Sequence, residues 1–314
     1  MHRRQNIDFS LASGSDLPYM ETKRSKMTKR IFSFLLTGWF VSLSGFAIIE
    51  VQQNVPKEKA EYPRVAIKDT EVRTLESKSA GREYSINIFF PKDYDKESKR
   101  YPAVYVLDAE YNFGCVAYIA RRLIKNEDIP KVLLVGIAYD TDYDDFYEKR
   151  FRDSTPESRI HGRNSGGAEQ FTQFIEKELI SFVDQNYRTI PDERTIVGHS
   201  ITGFFCVYVL FRHPDLFNRY IVVSPSVWFS DGVVFEYEEA FFSIHKDMDA
   251  SVYLSVGEDE SQRVRDGSIK LSNTLLKRDY PHLRFQFSSV LEENHRSLFP
   301  YAFSRGMRFI FSGR

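Results

Sequence analysis

The chain has 314 residues, with 43 lysines and arginines against 44 aspartates and glutamates and a formal net charge of −1. This balance, without a basic stripe, argues against a nucleic-acid partner. The two cysteines, Cys115 and Cys206, are too few for a disulfide framework and are expected in the core. No histidine or cysteine spacing is typical of a metal site and no glycine-rich phosphate loop occurs, so we expect no cofactor.

An apolar run over residues 31–49 is the first marked feature of the chain. It follows a basic extension, residues 1–30, in which Met27 is an alternative natural start. The length of the run suits either a signal peptide or a membrane anchor. The basic flank should stay inside, so we expect an exported protein, periplasmic or extracellular, that could associate with the membrane through residues 31–49.

A polar linker, residues 50–73, separates this leader from one predicted domain, residues 74–314. Residues 82–91 alternate between polar and apolar and predict an antiparallel entry strand. From Tyr101 onward, strand and helix patterns alternate. That alternation is typical of a mainly parallel, doubly wound α/β sheet with helices on both faces.

The segment Gly198–Gly203 reads Gly-His-Ser-Ile-Thr-Gly and comes directly after the short apolar run 195–197. A turn is predicted before that run, at residues 189–194, and a buried helix after the segment, at residues 204–213. Strand, turn and helix in this order resemble the Gly-x-Ser-x-Gly elbow, in which a strained turn exposes a nucleophilic serine. Ser200 is therefore the candidate nucleophile.

A serine hydroxyl is a weak nucleophile unless a neighbouring base accepts its proton. The order nucleophile, acid, histidine leaves four histidines after Ser200, namely His213, His245, His282 and His295. His295 follows a strand-like segment, Leu283–Val290, and lies in a loop where a doubly wound sheet places its chemistry. We therefore choose His295 as the base.

The acid of such a triad should follow a strand between the elbow and the base. Residues 252–256 form such a strand and lead into Gly257-Glu258-Asp259-Glu260. Three consecutive carboxylates leave the assignment open. We favour Glu260, with Asp259 as the second choice.

Two amides are needed to stabilise the oxyanion that develops on an attacked carbonyl. One should be the amide of Ile201, the residue after the nucleophile. The other is expected in the loop after the strand 104–107, where Ala109 and Glu110 are the candidates. An ordinary turn into the next helix is the alternative interpretation of that loop.

Three residues are candidates for substrate binding, Arg150, Arg152 and Trp228. The first two lie in residues 139–153, a segment dense in Asp, Tyr and Arg. An arginine there could bind an anionic or phenolate-bearing substrate through its planar fork, although Arg152 could instead pair with Asp153. Trp228 could stack on an aromatic group or cap the core.

The chain from about Thr74 to Phe311 resembles the putative-esterase family of α/β hydrolases, which includes esterase D and the enterochelin and siderophore trilactone esterases. The resemblance covers six segments, namely Tyr101–Asp108, Arg150–Pro156, the elbow, Ser224–Trp228, Gly257–Glu260 and Glu293–His295. It implies carboxylic ester hydrolysis through an acyl-serine, with Ser200 as nucleophile, His295 as base and the Gly257 loop supplying the acid. Thr202 stands where relatives usually have glycine, which raises the question of how closely helix and strand can pack.

The resulting hypothesis is an exported serine esterase that needs no cofactor and acts on a small-molecule ester. A siderophore ester, an acylated sugar and a small acyl ester would all use the same elbow. One alternative is a catalytically silent, hydrolase-like binding domain. The other is an acyltransferase that uses the same serine.

Overall fold

The computed structural model describes residues 65–157 and 164–312. The predicted leader and most of the predicted linker lie outside these residues. Within them, no helix combines the length and apolar character that crossing a bilayer requires.

Eight strands form one sheet in the spatial order β1-β2-β4-β3-β5-β6-β7-β8. β1 pairs antiparallel with β2, and β2 pairs antiparallel with β4. The remaining neighbours, β4 with β3, β3 with β5, β5 with β6, β6 with β7 and β7 with β8, are parallel. The strands are β1 (Thr70–Ser77), β2 (Arg82–Phe89), β3 (Tyr101–Val106), β4 (Leu133–Ala138), β5 (Thr189–His199), β6 (Arg219–Val223), β7 (Ala250–Gly257) and β8 (Leu283–Val290). The predicted α/β-hydrolase fold with a mainly parallel sheet is confirmed.

Helices connect the parallel strands, and one further helix follows β8. They are α1 (Ala109–Lys125), α2 (Tyr143–Ser154), α3 (Ala168–Gln173), α4 (Ile180–Asn186), α5 (Ile201–Arg212), α6 (Phe229–Ile244), α7 (Gln262–Arg278) and α8 (Leu298–Phe311). A π-helical stretch, Phe174–Leu179, joins α3 to α4, and a single 3₁₀ turn lies at Tyr94–Lys96.

The sheet has a separate apolar core on each face, because consecutive strand residues point to opposite sides. Along the fully buried β3, Tyr105 faces the core that contains Phe204 of α5. Val104 and Val106 face the other core, which α1 and α8 cover. Burial on both faces explains why the central strands are continuously apolar rather than alternating.

Three local features were not expected from the sequence. The first strand begins at Thr70, inside the predicted linker, because it pairs along its whole length with β2. Residues 189–194, predicted as a turn, belong to β5, but the register between β3 and β5 shifts there, so the segment bulges out of the ladder around Pro191. Most of residues 139–153 form α2, whose first turn is capped when the Asp142 carboxylate accepts the Asp145 amide at 3.0 Å.

Both cysteines are unpaired. Cys206 on α5 is buried as predicted, whereas Cys115 on α1 is only half-buried.

Candidate active site

Ser200 occupies the sharp turn between β5 and α5. Its backbone has φ 62° and ψ −118°, a conformation that a residue with a side chain adopts only at a cost in energy. The Ser200 amide donates to the Val223 carbonyl of β6 at 2.9 Å, and its carbonyl accepts the Phe204 amide at 2.9 Å. The backbone on both sides of the nucleophile is therefore fixed by neighbouring elements.

Two glycines allow this turn to pack closely against its surroundings. A side chain at Gly198 would overlap the Thr202 carbonyl, and a Cβ at Gly203 would lie 2.9 Å from the Val223 carbonyl oxygen. The close approach of α5 to β6 thus requires glycine at residue 203 rather than at residue 202. Thr202 is buried and its hydroxyl is within hydrogen-bond distance of the His199 amide and carbonyl.

Glu260 and His295, the candidate acid and base, are in direct contact. Oε2 of Glu260 lies 2.6 Å from Nδ1 of His295, and the Glu260 side chain is fully buried whereas 40% of the His295 side chain is exposed. Oε1 of Glu260 accepts the Gly257 amide at 3.0 Å and the Ser224 hydroxyl. Asp259 and Glu258 are exposed. Of the three candidate acids, the structure therefore brings Glu260 to the base.

These contacts change the protonation of the acid. Burial raises the pKa of Glu260, but the hydrogen bonds from His295, Ser224 and Gly257 outweigh it, so the pKa is lowered from its ordinary value. Glu260 is thus ionised at neutral pH and fixes a proton on Nδ1 of His295. The other ring nitrogen, Nε2, is left to act as the base.

His199 packs its ring against the ring of His295. The ring centroids are 4.5 Å apart and the planes are inclined by 41°. Burial first, and then the proximity of His295, lowers the pKa of His199 to about 4. A neutral aromatic surface therefore supports the base on the side of the elbow. Sequence reasoning gave His199 no role, because the residue between glycine and serine in the motif is variable.

The loop after β6 supports the nucleophile from the other direction. The Ser226 amide donates to the Ser200 carbonyl at 3.0 Å, and the two hydroxyl oxygens are 3.5 Å apart. Ser224 in the same loop binds Glu260. The segment Ser224–Trp228 carried part of the family resemblance, which was the available signal, but no role was assigned to its serines.

The candidate oxyanion donors lie at two helix N-termini. Ile201 is the first residue of α5 and Ala109 the first residue of α1, and amides in a first helical turn have no acceptor within the helix. Both helices start at the carboxyl ends of the paired strands β5 and β3. Glu110, the other candidate, uses its carboxylate to accept the Tyr139 amide.

The three predicted substrate-binding residues have different surroundings. The Arg150 guanidinium forms two hydrogen bonds to Asp108, at 2.6 and 2.8 Å, and is 12% exposed. It therefore forms an internal ion pair, unlike the predicted substrate clamp, because Asp108 already neutralises it. The Trp228 side chain is 42% exposed rather than a cap on the core, with the Arg263 guanidinium 5.1 Å from its ring centroid.

Arg152 is half-buried, and its carbonyl accepts the Gly167 amide at 2.9 Å. Asp153, the alternative partner of Arg152, accepts the Tyr84 hydroxyl at 2.7 Å and lies 3.4 Å from Arg82. The positive charge of Arg152 also acts on the Asp153 carboxylate. Among the residues described, no group of three or more His, Cys, Asp or Glu side chains is arranged to hold a metal ion.

Comparisons with known proteins show the family of the chain. The family model described as "Putative esterase" matches residues 77–296. The chain is similar to the ferri-bacillibactin esterase BesA of Bacillus subtilis (strain 168), with 34% identity over 263 residues that cover 77% of this chain and 90% of that protein.

Two solved structures have the same fold. The BES protein from Bacillus cereus has a TM-score of 0.73 and 30% identity, with 81% of this chain and 98% of that chain covered. An IroE-like serine hydrolase from Shewanella oneidensis has a TM-score of 0.69 and 26% identity, with 77% of this chain and 80% of that chain covered.

Proposed function

Because this chain belongs to the Putative esterase family and is a carboxylic ester hydrolase of the serine hydrolase type, we propose that it cleaves esters through an acyl intermediate on Ser200. His295 is the base and Glu260 the acid. The observation that carries this proposal is the 2.6 Å contact between buried Glu260 and His295, whose ring packs against His199, the residue before Ser200.

In the acylation step the Ser200 hydroxyl oxygen attacks the ester carbonyl carbon and its proton passes to Nε2 of His295. The carbonyl oxygen becomes an oxyanion that accepts hydrogen bonds from the amides of Ile201 and Ala109. The intermediate then collapses, the carbon–oxygen bond to the alcohol breaks, and the alcohol leaves with the proton from His295.

In the second step water replaces the alcohol. His295 accepts a proton from the water as it attacks the acyl carbon, and the acid is released as Ser200 regains its proton. Among the residues described, the Ser200 hydroxyl contacts the Ser226 hydroxyl and not His295. The mechanism therefore requires a rotation of the serine side chain toward His295 when substrate binds, as is common for triads without substrate.

For the substrate we propose a siderophore-type ester, with small acyl esters as simpler substrates. Support comes from BesA, a relative named as a ferri-bacillibactin esterase, of which the match covers 90%. The exposed Trp228 beside the Ser224 loop offers an aromatic surface to a large ligand. Transfer of the acyl group to an acceptor other than water would share the acylation step, and product analysis separates the two.

Export is part of the proposal and is supported by the sequence. Residues 31–49 are apolar and follow a basic flank, which suits an export signal or an anchor. Fractionation of producing cells tests it. A protein found only in the cytoplasm would contradict export and leave the proposed chemistry unaffected.

The test of the chemistry is hydrolysis of p-nitrophenyl acetate and of an iron-loaded trilactone siderophore by the full chain and by its Ser200→Ala variant. We expect turnover in the wild type and its loss in the variant. Turnover retained by Ser200→Ala would overturn the assignment. Activity on the p-nitrophenyl ester without activity on the lactone would reject the siderophore substrate alone.

A further inference from the structure

We propose that Thr202 is a positioning residue: its hydroxyl, with the buried Asp108 carboxylate, ties the turn before α1 to the turn that carries Ser200. This inference rests on the proposed function, because those two turns carry the amides assigned to the oxyanion. Nothing in the motif predicts it, since the Gly-x-Ser-x-Gly pattern has glycine at this position.

Asp108 is fixed by both its backbone and its side chain. It ends the segment that follows β3, is 5% exposed and has a left-handed backbone with φ 56°. Its carbonyl accepts the amides of Tyr111 and Asn112, each at 3.1 Å, which fixes the first turn of α1. A displacement of Asp108 would therefore displace the neighbouring Ala109 amide.

Arg150 holds the Asp108 carboxylate in one orientation. Its Nε and Nη2 atoms donate to the two carboxylate oxygens at 2.6 and 2.8 Å, an arrangement in which the planar guanidinium fixes both position and rotation. Nη2 also donates to the His199 carbonyl at 3.0 Å. The ion pair thus already contacts the elbow, one residue before the nucleophile.

Thr202 makes the second connection between the two turns. Its Oγ1 lies 2.9 Å from Oδ2 of Asp108 and 2.9 Å from the His199 carbonyl, so its one proton can be donated to either oxygen. Oγ1 of Thr202 also accepts a hydrogen bond from the His199 amide at 2.9 Å. Thr202 is 2% exposed, so no bulk water can replace this hydroxyl.

The consequence concerns the two oxyanion donors. Ala109 follows Asp108 in the chain and Ile201 precedes Thr202, so the tie joins the residues next to the two amides. Donors stabilise a developing negative charge best when their positions are fixed before the reaction. A lost tie should therefore weaken transition-state stabilisation while ground-state binding of a small ester is unchanged.

The experiment compares the full chain with Thr202→Val, which keeps the shape and removes the hydroxyl, and with Thr202→Ser, which restores it. On p-nitrophenyl acetate we expect Thr202→Val to lower kcat and kcat/KM equally, by about tenfold, less than the loss of a whole oxyanion donor. The affinity for phenylboronic acid, which adds to a serine as a tetrahedral anion, should fall by a similar factor. Thr202→Ser should recover most of both.

Thr195→Val is the matched control. Thr195, on β5, is buried like Thr202, but its hydroxyl has no hydrogen-bond partner among the residues described. It should keep wild-type kinetics. Thr202→Gly, which introduces the glycine of the Gly-x-Ser-x-Gly pattern, gives a second variant and should lose activity as Thr202→Val does. Wild-type kinetics in a folded Thr202→Val or Thr202→Gly, or an equal loss in Thr195→Val, would overturn the proposal. Failure of the proposed function is distinct, because Ser200→Ala would then remain active.

Discussion

Glu260 and His295 are 35 residues apart in sequence and 2.6 Å apart in the structure, with the Glu260 side chain fully buried and the His295 side chain partly open to solvent. The carboxyl ends of β7 and β8 bring them together, because each residue lies in the loop that follows its strand. A side chain at Gly257 would overlap the Glu293 carbonyl, so glycine is required where the two loops touch.

Glu260→Gln should lower kcat/KM for p-nitrophenyl acetate by a factor on the order of 10²–10⁴, because an amide cannot hold His295 in the required tautomer as a carboxylate does. Initial rates at pH 7 measure this. Asp259→Asn is the matched control, since Asp259 is exposed and adjacent in sequence. A larger loss in Asp259→Asn than in Glu260→Gln would contradict the assignment of the acid.

The stability contributed by Glu260 should disappear in acid. Its folded-state pKa is lowered, because the hydrogen bonds from His295, Ser224 and Gly257 outweigh burial. The contribution is therefore fully present above the ordinary glutamate pKa of about 4.3 and is lost as pH falls through the folded value. The difference in melting temperature between wild type and Glu260→Gln should narrow as pH falls to about 3. A difference that is independent of pH would show that Glu260 ionisation contributes nothing.

His199 should make the wild type sensitive to mild acid. Its pKa is lowered to about 4 by burial, in an environment that contains His295, Asp108, Arg150 and Glu260. As pH decreases, the unfolded chain protonates His199 near pH 6.5, whereas the folded chain protonates it only near pH 4. Stability therefore falls as pH decreases from about 6.5 to about 4. The melting temperature of His199→Gln should therefore decline less than that of the wild type.

His282→Gln provides the control for that measurement. His282 is exposed, and its pKa is raised by the hydrogen bond that its ring Nδ1 donates to the Asp247 carboxylate. Its contribution to stability therefore grows rather than falls as pH decreases, and it should be small because the pair is exposed. Parallel declines in the wild type and His199→Gln would mean that His199 is protonated in the folded protein.

Gly203→Ala should destabilise the protein by about 1–3 kcal/mol, because the added Cβ would have to displace packed backbone. That Cβ would lie 2.9 Å from the Val223 carbonyl oxygen, the same atom that accepts the Ser200 amide. Chemical denaturation measures the loss, and ester hydrolysis should fall with it.

Gly114→Ala on α1 is the matched control, since its Cβ would meet only Ile67 at 3.6 Å. Alanine in a helix interior is favoured over glycine by about 0.5–1 kcal/mol, so this variant should be more stable than the wild type. Equal stability changes in the two variants would contradict the close packing inferred at Gly203.

The sequence was sufficient to predict the parts of the site that depend on strand order. Ser200, Glu260 and His295 each follow a strand with a readable apolar pattern, and in a parallel sheet the ends of such strands lie at one edge. β8 was predicted with the bounds that the structure has, Leu283–Val290. The segment 189–194 was misread because Pro191 signals a turn, whereas the strand continues through a bulge.

The parts that depend on side-chain pairing across long separations could not be predicted. The Arg150 and Asp108 pair spans 42 residues and depends on a left-handed backbone at Asp108, for which the sequence has no signal. The sequence predicts a substrate role for Arg150, whereas in the structure the buried Asp108 carboxylate neutralises its charge. Likewise, stacking of His199 on His295 depends on two loops whose conformation is not encoded in local pattern.

The most direct test of the account is to identify the acylated residue. The full chain is mixed briefly with p-nitrophenyl acetate, quenched in acid, digested and analysed by mass spectrometry. We predict one acetyl group on Ser200 and none on Ser226, whose hydroxyl oxygen is 3.5 Å away. An acetyl group on Ser226, or turnover by the wild type without an acetyl group on Ser200, would contradict the proposed mechanism.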